Sequence, residues 1–219
     1  MMYSVDSTFI QQLQRSMSQP LPGPEAHYKM AHVGRNLAPK VPSNARIACV
    51  LQLLYPVDRD WHIVLIERQS SNRNDRHSGQ ISFPGGGYEA SDETLVNGAL
   101  REAWEEVGVE PKKVSVLGAL TELYIPVSNF LVHPFLGYTT ERPDFRRQES
   151  EVRSILEVPL SWLQNPESVQ KTDLPINKQL VLKDVPHFNV KGHIVWGATA
   201  MMLSELLEIA QRKPEENTD

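Results

Sequence analysis

A single cysteine, Cys49, occurs in the 219 residues, so no disulfide can close within the chain. It lies in the apolar run Ala48-Cys49-Val50-Leu51, where a thiol behaves as a small buried hydrophobe, and a reducing, cytoplasmic setting is expected. Apolar runs are short, and none approaches the ~20 residues that span a bilayer. Asp6 and the glutamines near the start replace the basic and apolar blocks of a secretion signal, so neither a signal peptide nor a membrane partner is expected. Basic residues are outnumbered, 22 Lys and Arg against 27 Asp and Glu, for a net charge of -5. That argues against nucleic-acid binding, which wants a basic face. An acidic protein with an anionic substrate must gather positive charge locally, through metal ions or a small Arg/His cluster. Zinc is disfavoured, because no Cys or His spacing suits it. Internal repeats are absent too.

Glycine is concentrated in one place. Gly85-Gly86-Gly87 opens a stretch that runs through Tyr88-Glu89-Ala90-Ser91-Asp92-Glu93-Thr94 to Arg101-Glu102-Ala103-Trp104-Glu105-Glu106-Val107-Gly108-Val109. Consecutive glycines let backbone turn freely and approach a ligand closely. Leu95, Ala99, Ala103 and Val107 recur every four residues, with Val96 and Leu100 beside them, which is the stripe of a half-buried helix. Thr94 is the expected N-cap, with Ser91 competing, and Gly108 stands where a left-handed C-cap belongs. At roughly 100° per residue, Glu102, Glu105 and Glu106 fan across one side, with Glu106 at the edge of the apolar stripe and partly desolvated. Like charges four apart cost about 0.2–0.5 kcal/mol on an exposed helix, and Arg101 offsets only part of this. Gly98, one turn before Glu102, is expected to clear space above the acids. A solvated acidic face is the common use of a Glu-Glu pair. Here the glycine loop, the arginine and the spacing together favour a hard-cation site with oxygen ligands, Mg2+ or Mn2+.

The pattern Gly87-x5-Glu93-x7-Arg101-Glu102-Ala103-x-Glu105-Glu106-x-Gly108-Val109 resembles the Nudix box of the Nudix hydrolases, with Ala103 where a larger aliphatic is usual. The resemblance implies an α/β (α+β) fold: an α/β/α sandwich with a curved mixed sheet, the box forming a loop–helix–loop unit on one side. It also implies metal-dependent hydrolysis of a diphosphate linkage in a nucleoside diphosphate derivative. The metal ligands would be Glu102, Glu105, Glu106 and the Gly86 carbonyl, and Arg101 would hold Glu105, and with it Glu93, in position. The general base is left open between a box glutamate and the later acids Glu149 and Glu151. The flanks are similar to coenzyme A pyrophosphatases: His77-Ser78-Gly79-Gln80-Ile81-Ser82-Phe83-Pro84-Gly85-Gly86 before the box, then Glu151-Val152, Val158-Pro159-Leu160 and Val195-Trp196-Gly197-Ala198-Thr199-Ala200 after it. This similarity covers roughly residues 46–210.

One feature departs from that subfamily. Asp75 and Ser70 occupy its two arginine positions before Gly79, while Arg68, Arg73 and Arg76 stand nearby, out of register. A two-residue insertion would restore Arg68. Arg68, Arg76 and His77, with Gly85 and Gly86, form a candidate phosphate clamp. Coenzyme A or an acyl derivative is the favoured substrate, giving 3',5'-ADP and 4'-phosphopantetheine. ADP-ribose, a dinucleotide or a nucleoside triphosphate is the alternative within the same chemistry. A non-catalytic nucleotide-binding module is the alternative outside it, although such a site has no need of crowded acids.

The rest of the chain reads as follows. Residues 1–45 hold one amphipathic helix (Phe9, Ile10, Leu13, Met17), capped by Asp6 or Ser7, and a proline-rich wrap. The helix is expected to pack on the body or on a second subunit, which leaves a homodimer open. Residues 46–212 form the hydrolase domain, and 213–219 a frayed polar tail. Within the domain, Arg46–Tyr55 and Trp61–Arg68 read as a hairpin, and Ile81–Phe83 and Val114–Leu120 as strands. Phe130–Thr139 reads as an edge or bent strand because of His133-Pro134. Residues 151–158 read as extended, with a short helix after Pro159. Residues 178–183 and 187–190 are expected to pair as a small hairpin, and Trp196–Gln211 to form a second amphipathic helix. The aromatics Phe130, Phe188 and Trp196 read as core.

Overall fold

The computed structural model describes residues 7–35, 39–69, 79–177 and 179–212. In chain order its elements are α1 (Ser7–Met17), α2 (Gly23–Tyr28), β1 (Arg46–Val57), β2 (Asp60–Arg68), β3 (Ile81–Ser82), β4 (Gly85–Gly87), α3 (Leu95–Val107), β5 (Ser115–Ala119), β6 (Leu123–Ile125), β7 (Phe130–Tyr138), β8 (Val152–Pro159), α4 (Leu160–Gln164), β9 (Val169–Pro175), β10 (Val181–Val190), β11 (His193–Val195) and α5 (Gly197–Gln211). This is the mixed α/β sandwich expected from the sequence.

The main sheet is organised around β1. It pairs in parallel with β7 from Arg46↔Phe130 to Leu54↔Tyr138. Its other side meets β2 only at the hairpin end, from Leu54↔Ile63 to Val57↔Asp60. Beyond that the two strands part, and β4 adds to β1 while β3 adds to β2. Phe83 and Pro84 cross the opening between them, and the glycine loop is thereby fixed to the central strand. Strand β8 closes the far side of β2.

Strand β1 is buried on both faces, and its period-2 alternation sorts the core into two layers. Cys49, Leu51, Leu53 and Tyr55 pack with Ala99, Ala103 and Val107 of α3. Ala48 and Leu54 face the other layer, with Leu13 of α1 and Met201, Leu203 and Leu206 of α5. The amphipathic face of α1 therefore lies on its own chain. Gln12 of α1 donates to the Arg212 carbonyl at 2.7 Å, and Arg212 donates back to the carbonyls of Ser16 and Pro20, so the ends of α1 and α5 are tied together. The caps expected for α1 at Asp6 and the Ser7 side chain lie outside the described residues.

Three sequence expectations are corrected. The proline-rich wrap contains α2, for which Pro24 is suited because a first-turn proline gives up no helical hydrogen bond. Strand β7 is interior, between β1 on one side and β5 and β6 on the other. Pro134 is tolerated there because it falls between the pairing of β6, which ends at Val132, and that of β5, which starts at Phe135. Its carbonyl accepts from Leu120 N at 2.9 Å, so the missing N–H points to the same break. Finally, residues 181–190 form one strand, not two halves of a hairpin. Its partners are β9 and β11, in a separate three-stranded sheet.

Candidate active site

The site is built on α3, whose caps are those the sequence suggests. Thr94 Oγ1 accepts from Asn97 N at 3.3 Å, and Gly108 closes the helix at φ 77°. Ser91 lies instead in a 3₁₀ turn, Ala90–Asp92. A distant segment completes the C-terminal end: Gln148 N donates to the Glu106 carbonyl at 3.0 Å and Arg146 N to the Val107 carbonyl at 2.9 Å. Two helix carbonyls that would otherwise lack partners are satisfied this way. The same bonds dock residues 146–151 beside the acids.

Glu106 is the buried member of the cluster, 1% exposed. Its Oε2 accepts the Gly85 N–H at 2.7 Å, and its Oε1 faces Arg68 Nη1 at 3.5 Å. Burial pushes its pKa up to about 8. The Gly85 N–H and Arg68 work against that shift, while the charges of Glu102 and Glu151 add to it. Glu102 is raised as well, first by burial, with Glu105 and Glu151 contributing and Arg101 opposing. Glu102, Glu106 and Glu151 thus share one electrostatic environment. Glu105 is half-exposed and turned to Arg101.

Gly86 lies directly against the Glu102 carboxyl group: a Cβ there would meet its Oε1 at 2.5 Å and its Cδ at 2.6 Å. Gly85 is equally constrained, since a Cβ would run into the Cys49 carbonyl oxygen and lie 2.7 Å from the Val50 Cα. Backbone therefore reaches the acids only because residues 85 and 86 are glycine.

Arg101 is the hub of the loop–helix junction. Nε donates to Asp92 Oδ1 at 2.6 Å, and Nη2 to Asp92 Oδ2 at 3.2 Å and to the Gly87 carbonyl at 3.0 Å. Nη1 donates to Glu102 Oε1 at 2.9 Å and Glu105 Oε2 at 3.0 Å.

Several expected roles change in place or partner. Glu93 is exposed, and none of the Arg101 bonds goes to it; Asp92, which spacing alone passed over, takes that position. The space beside Gly98 is filled by Asp92, whose Oδ2 would lie 2.9 Å from an added Cβ, so it is not open above the acids. The Gly85 N–H, a candidate phosphate donor, is occupied by Glu106. Glu149 stays outside the cluster, with its side chain 80% exposed and paired with Arg147. Arg73, Arg76, His77, Ser70 and Asp75 lie outside the described residues.

Among the described residues, no three His, Cys, Asp or Glu side chains converge closely enough to enclose an ion. Glu102 and Glu105 are drawn to Arg101, and Glu106 to Gly85 and Arg68. The donors themselves suit a hard dication: they are carboxylate oxygens, and Glu102 and Glu106 have pKa values raised first by burial and further by neighbouring carboxylates, a penalty on their charge that a bound cation relieves.

The family model of the NUDIX domain matches residues 45–181. The chain belongs to the Nudix hydrolase family. It is a diphosphohydrolase, the Nudix domain implies a nucleotide-like small-molecule substrate, and the family typically uses divalent metals. Among its relatives are proteins named "Uncharacterized Nudix hydrolase NudL". That of Citrobacter koseri is 35% identical over 173 residues, covering 77% of this chain and 85% of the relative. That of Pectobacterium atrosepticum is 33% identical over 150 residues, covering 68% and 76%. A crystal structure of a Nudix hydrolase from M. smegmatis, RenU, shares the fold with a TM-score of 0.54 at 16% identity, covering 79% of this chain and 90% of that one. A MutT/Nudix family protein from Enterococcus faecalis gives a TM-score of 0.51 at 11% identity, covering 94% and 76%. Among the described residues no helix is long and apolar enough to cross a membrane.

Proposed function

We propose that this Nudix hydrolase cleaves the diphosphate of coenzyme A or an acyl-coenzyme A, releasing 3',5'-ADP and (acyl-)4'-phosphopantetheine. Residues 46–212 are the hydrolase domain in this reading, with residues 1–45 attached to it as helix and wrap. The chemistry rests on one observation: buried Glu106 shares its charge environment with Glu102 and Glu151 beside the glycine loop. The substrate rests on the segments around the box, His77–Gly86 and Val195–Ala200, which are similar to those of coenzyme A pyrophosphatases.

Glu102, Glu105, Glu106 and the Gly86 carbonyl would hold Mg2+ or Mn2+. When bound, such an ion neutralises phosphate charge and acidifies water. Arg101 keeps Glu102 and Glu105 on the correct side of α3, and its bond to the Gly87 carbonyl fixes the loop to the helix. Arg68, beside Glu106, presents a cation to the arriving diphosphate. Glu151 takes the proton from the attacking water; it is exposed, held next to the acids by the docked segment, and so can pass the proton to solvent.

A substrate panel with product identification tests this reading. Coenzyme A or an acyl derivative should give the highest kcat/KM, with 3',5'-ADP as a product. A preference for ADP-ribose, a dinucleotide or a nucleoside triphosphate would move the chain to another branch, an outcome that Ser70 and Asp75 keep in view. Nucleotide binding without metal-dependent turnover would make it a binding module.

A further inference from the structure

We propose that this chain dimerises through β9: the strands of two copies pair antiparallel about a twofold axis at Thr172, joining their three-stranded sheets into one of six strands.

The small sheet has the order β11-β10-β9, and β11 lies against β3 of the main sheet, so β9 is the outer edge. Among the described residues no strand pairs with its far side. An edge strand leaves a row of backbone donors and acceptors open to another chain. Two observations show which of them face out. Ile176 N donates to the Leu180 carbonyl at 2.9 Å, so the set turned inward to β10 is the even one, Leu174, Thr172 and Gln170. Lys171 stands opposite Pro186, which has no N–H to offer it, as suits a pair whose backbone groups point away from each other. Val169, Lys171 and Asp173 therefore present both N–H and C=O outward.

Charge selects the register. Lys171 and Asp173 are both exposed and lie on one face of the strand. Centring the pair on Lys171 or on Asp173 sets like charges opposite each other, which is destabilising. Centring it on Thr172 sets each Lys171 against Asp173 of the second copy. Thr172 is also the midpoint of Val169–Pro175, so the same register overlaps the whole strand. It also brings the outward backbone groups together in the same pairs. Asp173 binds Lys183 Nζ at 2.6 Å within its own chain, so Lys183, Asp173 and Lys171 of the second copy form a row of alternating charge. A lysine on an edge strand ordinarily deters pairing; here the acid two residues further on answers it. On the same face Val181 stands beside Pro175, and Pro175 falls beside Val169 of the second copy. Val169 and Val181, both exposed in the single chain, thereby join one apolar row.

Sedimentation equilibrium of the full chain tests this. Wild type should be a dimer. Lys171→Glu and Asp173→Lys each place two like-charged pairs across the axis and should raise the dimer Kd about tenfold or more. Mixed one to one, the two variants should associate again, since both pairs in the mixed dimer join opposite charges. Loss of folding cannot imitate that recovery. Disulfide trapping under mild oxidation reads the register. Thr172→Cys should cross-link two copies, because residues at the axis form a non-hydrogen-bonded pair with Cα atoms about 4.5 Å apart. Lys171→Cys, off the axis, should not. The native Cys49 is buried and does not interfere. Wild type that stays monomeric at its highest soluble concentration would overturn the proposal. So would a dimer that Lys171→Glu leaves intact, a mixture that restores nothing, or cross-linking through Lys171→Cys in place of Thr172→Cys. Should Asp173→Lys fail to fold for want of the Lys183 pair, Lys171→Glu and the Thr172→Cys cross-link decide the matter.

Discussion

At the scale of single residues, Glu106 carries the electrostatic strain of the site. Its pKa is raised from 4.5 to about 8, first because it is buried. A carboxyl group raised in the folded state stabilises the fold fully below its unfolded pKa, and that contribution is lost as pH rises toward the folded value. A shift of this size corresponds to roughly 5 kcal/mol. Metal-free protein should therefore lose stability between pH 5 and pH 8, and Glu106→Gln should flatten that slope in urea titrations at several pH values. In the proposed reading, where Glu106 is a metal ligand, the same variant should lower kcat by about three orders of magnitude or more, since it would remove a ligand from the site that activates water. Parallel stability profiles of the two proteins would contradict the burial argument. Gly86→Ala should also weaken activity and Mn2+ binding, because its methyl lies on the Glu102 carboxyl group; wild-type Mn2+ affinity in that variant would show that the contact does not matter. Glu102, Glu105, Glu106 and Arg101 were legible from helical spacing. Asp92 was not, because the period ends at Thr94 and the 3₁₀ turn before it redirects the chain.

At the scale of elements, the segment 146–151 is tied to the end of α3. Its backbone closes the last turn of α3, and Gln69, the residue after β2, grips it, with N donating to the Glu151 carbonyl at 2.7 Å and Nε2 to the Glu149 carbonyl at 3.0 Å. Glu151 is thereby held near Glu102 and Glu106, while Glu149 points to solvent. Glu151→Gln should lower kcat about 10²–10⁴-fold, the usual contribution of a positioned base, with KM nearly unchanged; Glu149→Gln should leave steady-state rates near wild type. The reverse ranking would assign the proton to Glu149. The caps of α3 and the β1–β2 hairpin could be read from the sequence because both are local patterns. The interior place of Pro134 depends on β1, a partner distant in the chain that local propensity does not encode, while β9, next to β10 in the chain, was missed because most of its residues are exposed and carry no apolar alternation.

Across the whole molecule, the layer opposite α3 is fastened by a buried polar knot. Glu205 of α5, 0% exposed, accepts from Gly23 N at 3.1 Å, from Thr121 N at 3.2 Å and from Thr121 Oγ1 at 2.5 Å, and it pairs with His27 Nε2 at 3.2 Å. It joins α2, the β5–β6 connection and α5. Glu205→Ala should cost about 3–5 kcal/mol by urea denaturation, because it leaves buried donors without a partner; a loss under ~1 kcal/mol would show that water replaces it readily. The family fold was legible from one motif. The fastening of the N-terminal segment was not, since its partners lie some 180 residues away and nothing in the wrap announces them.

The central claim is that the acids of α3 gather a divalent cation beside the glycine loop. Anomalous scattering from crystals soaked in manganese tests it most directly. The account predicts a peak within coordination distance of Glu102, Glu106 and the Gly86 carbonyl, absent from Glu106→Gln crystals; a soaked wild-type crystal with no peak there would contradict it.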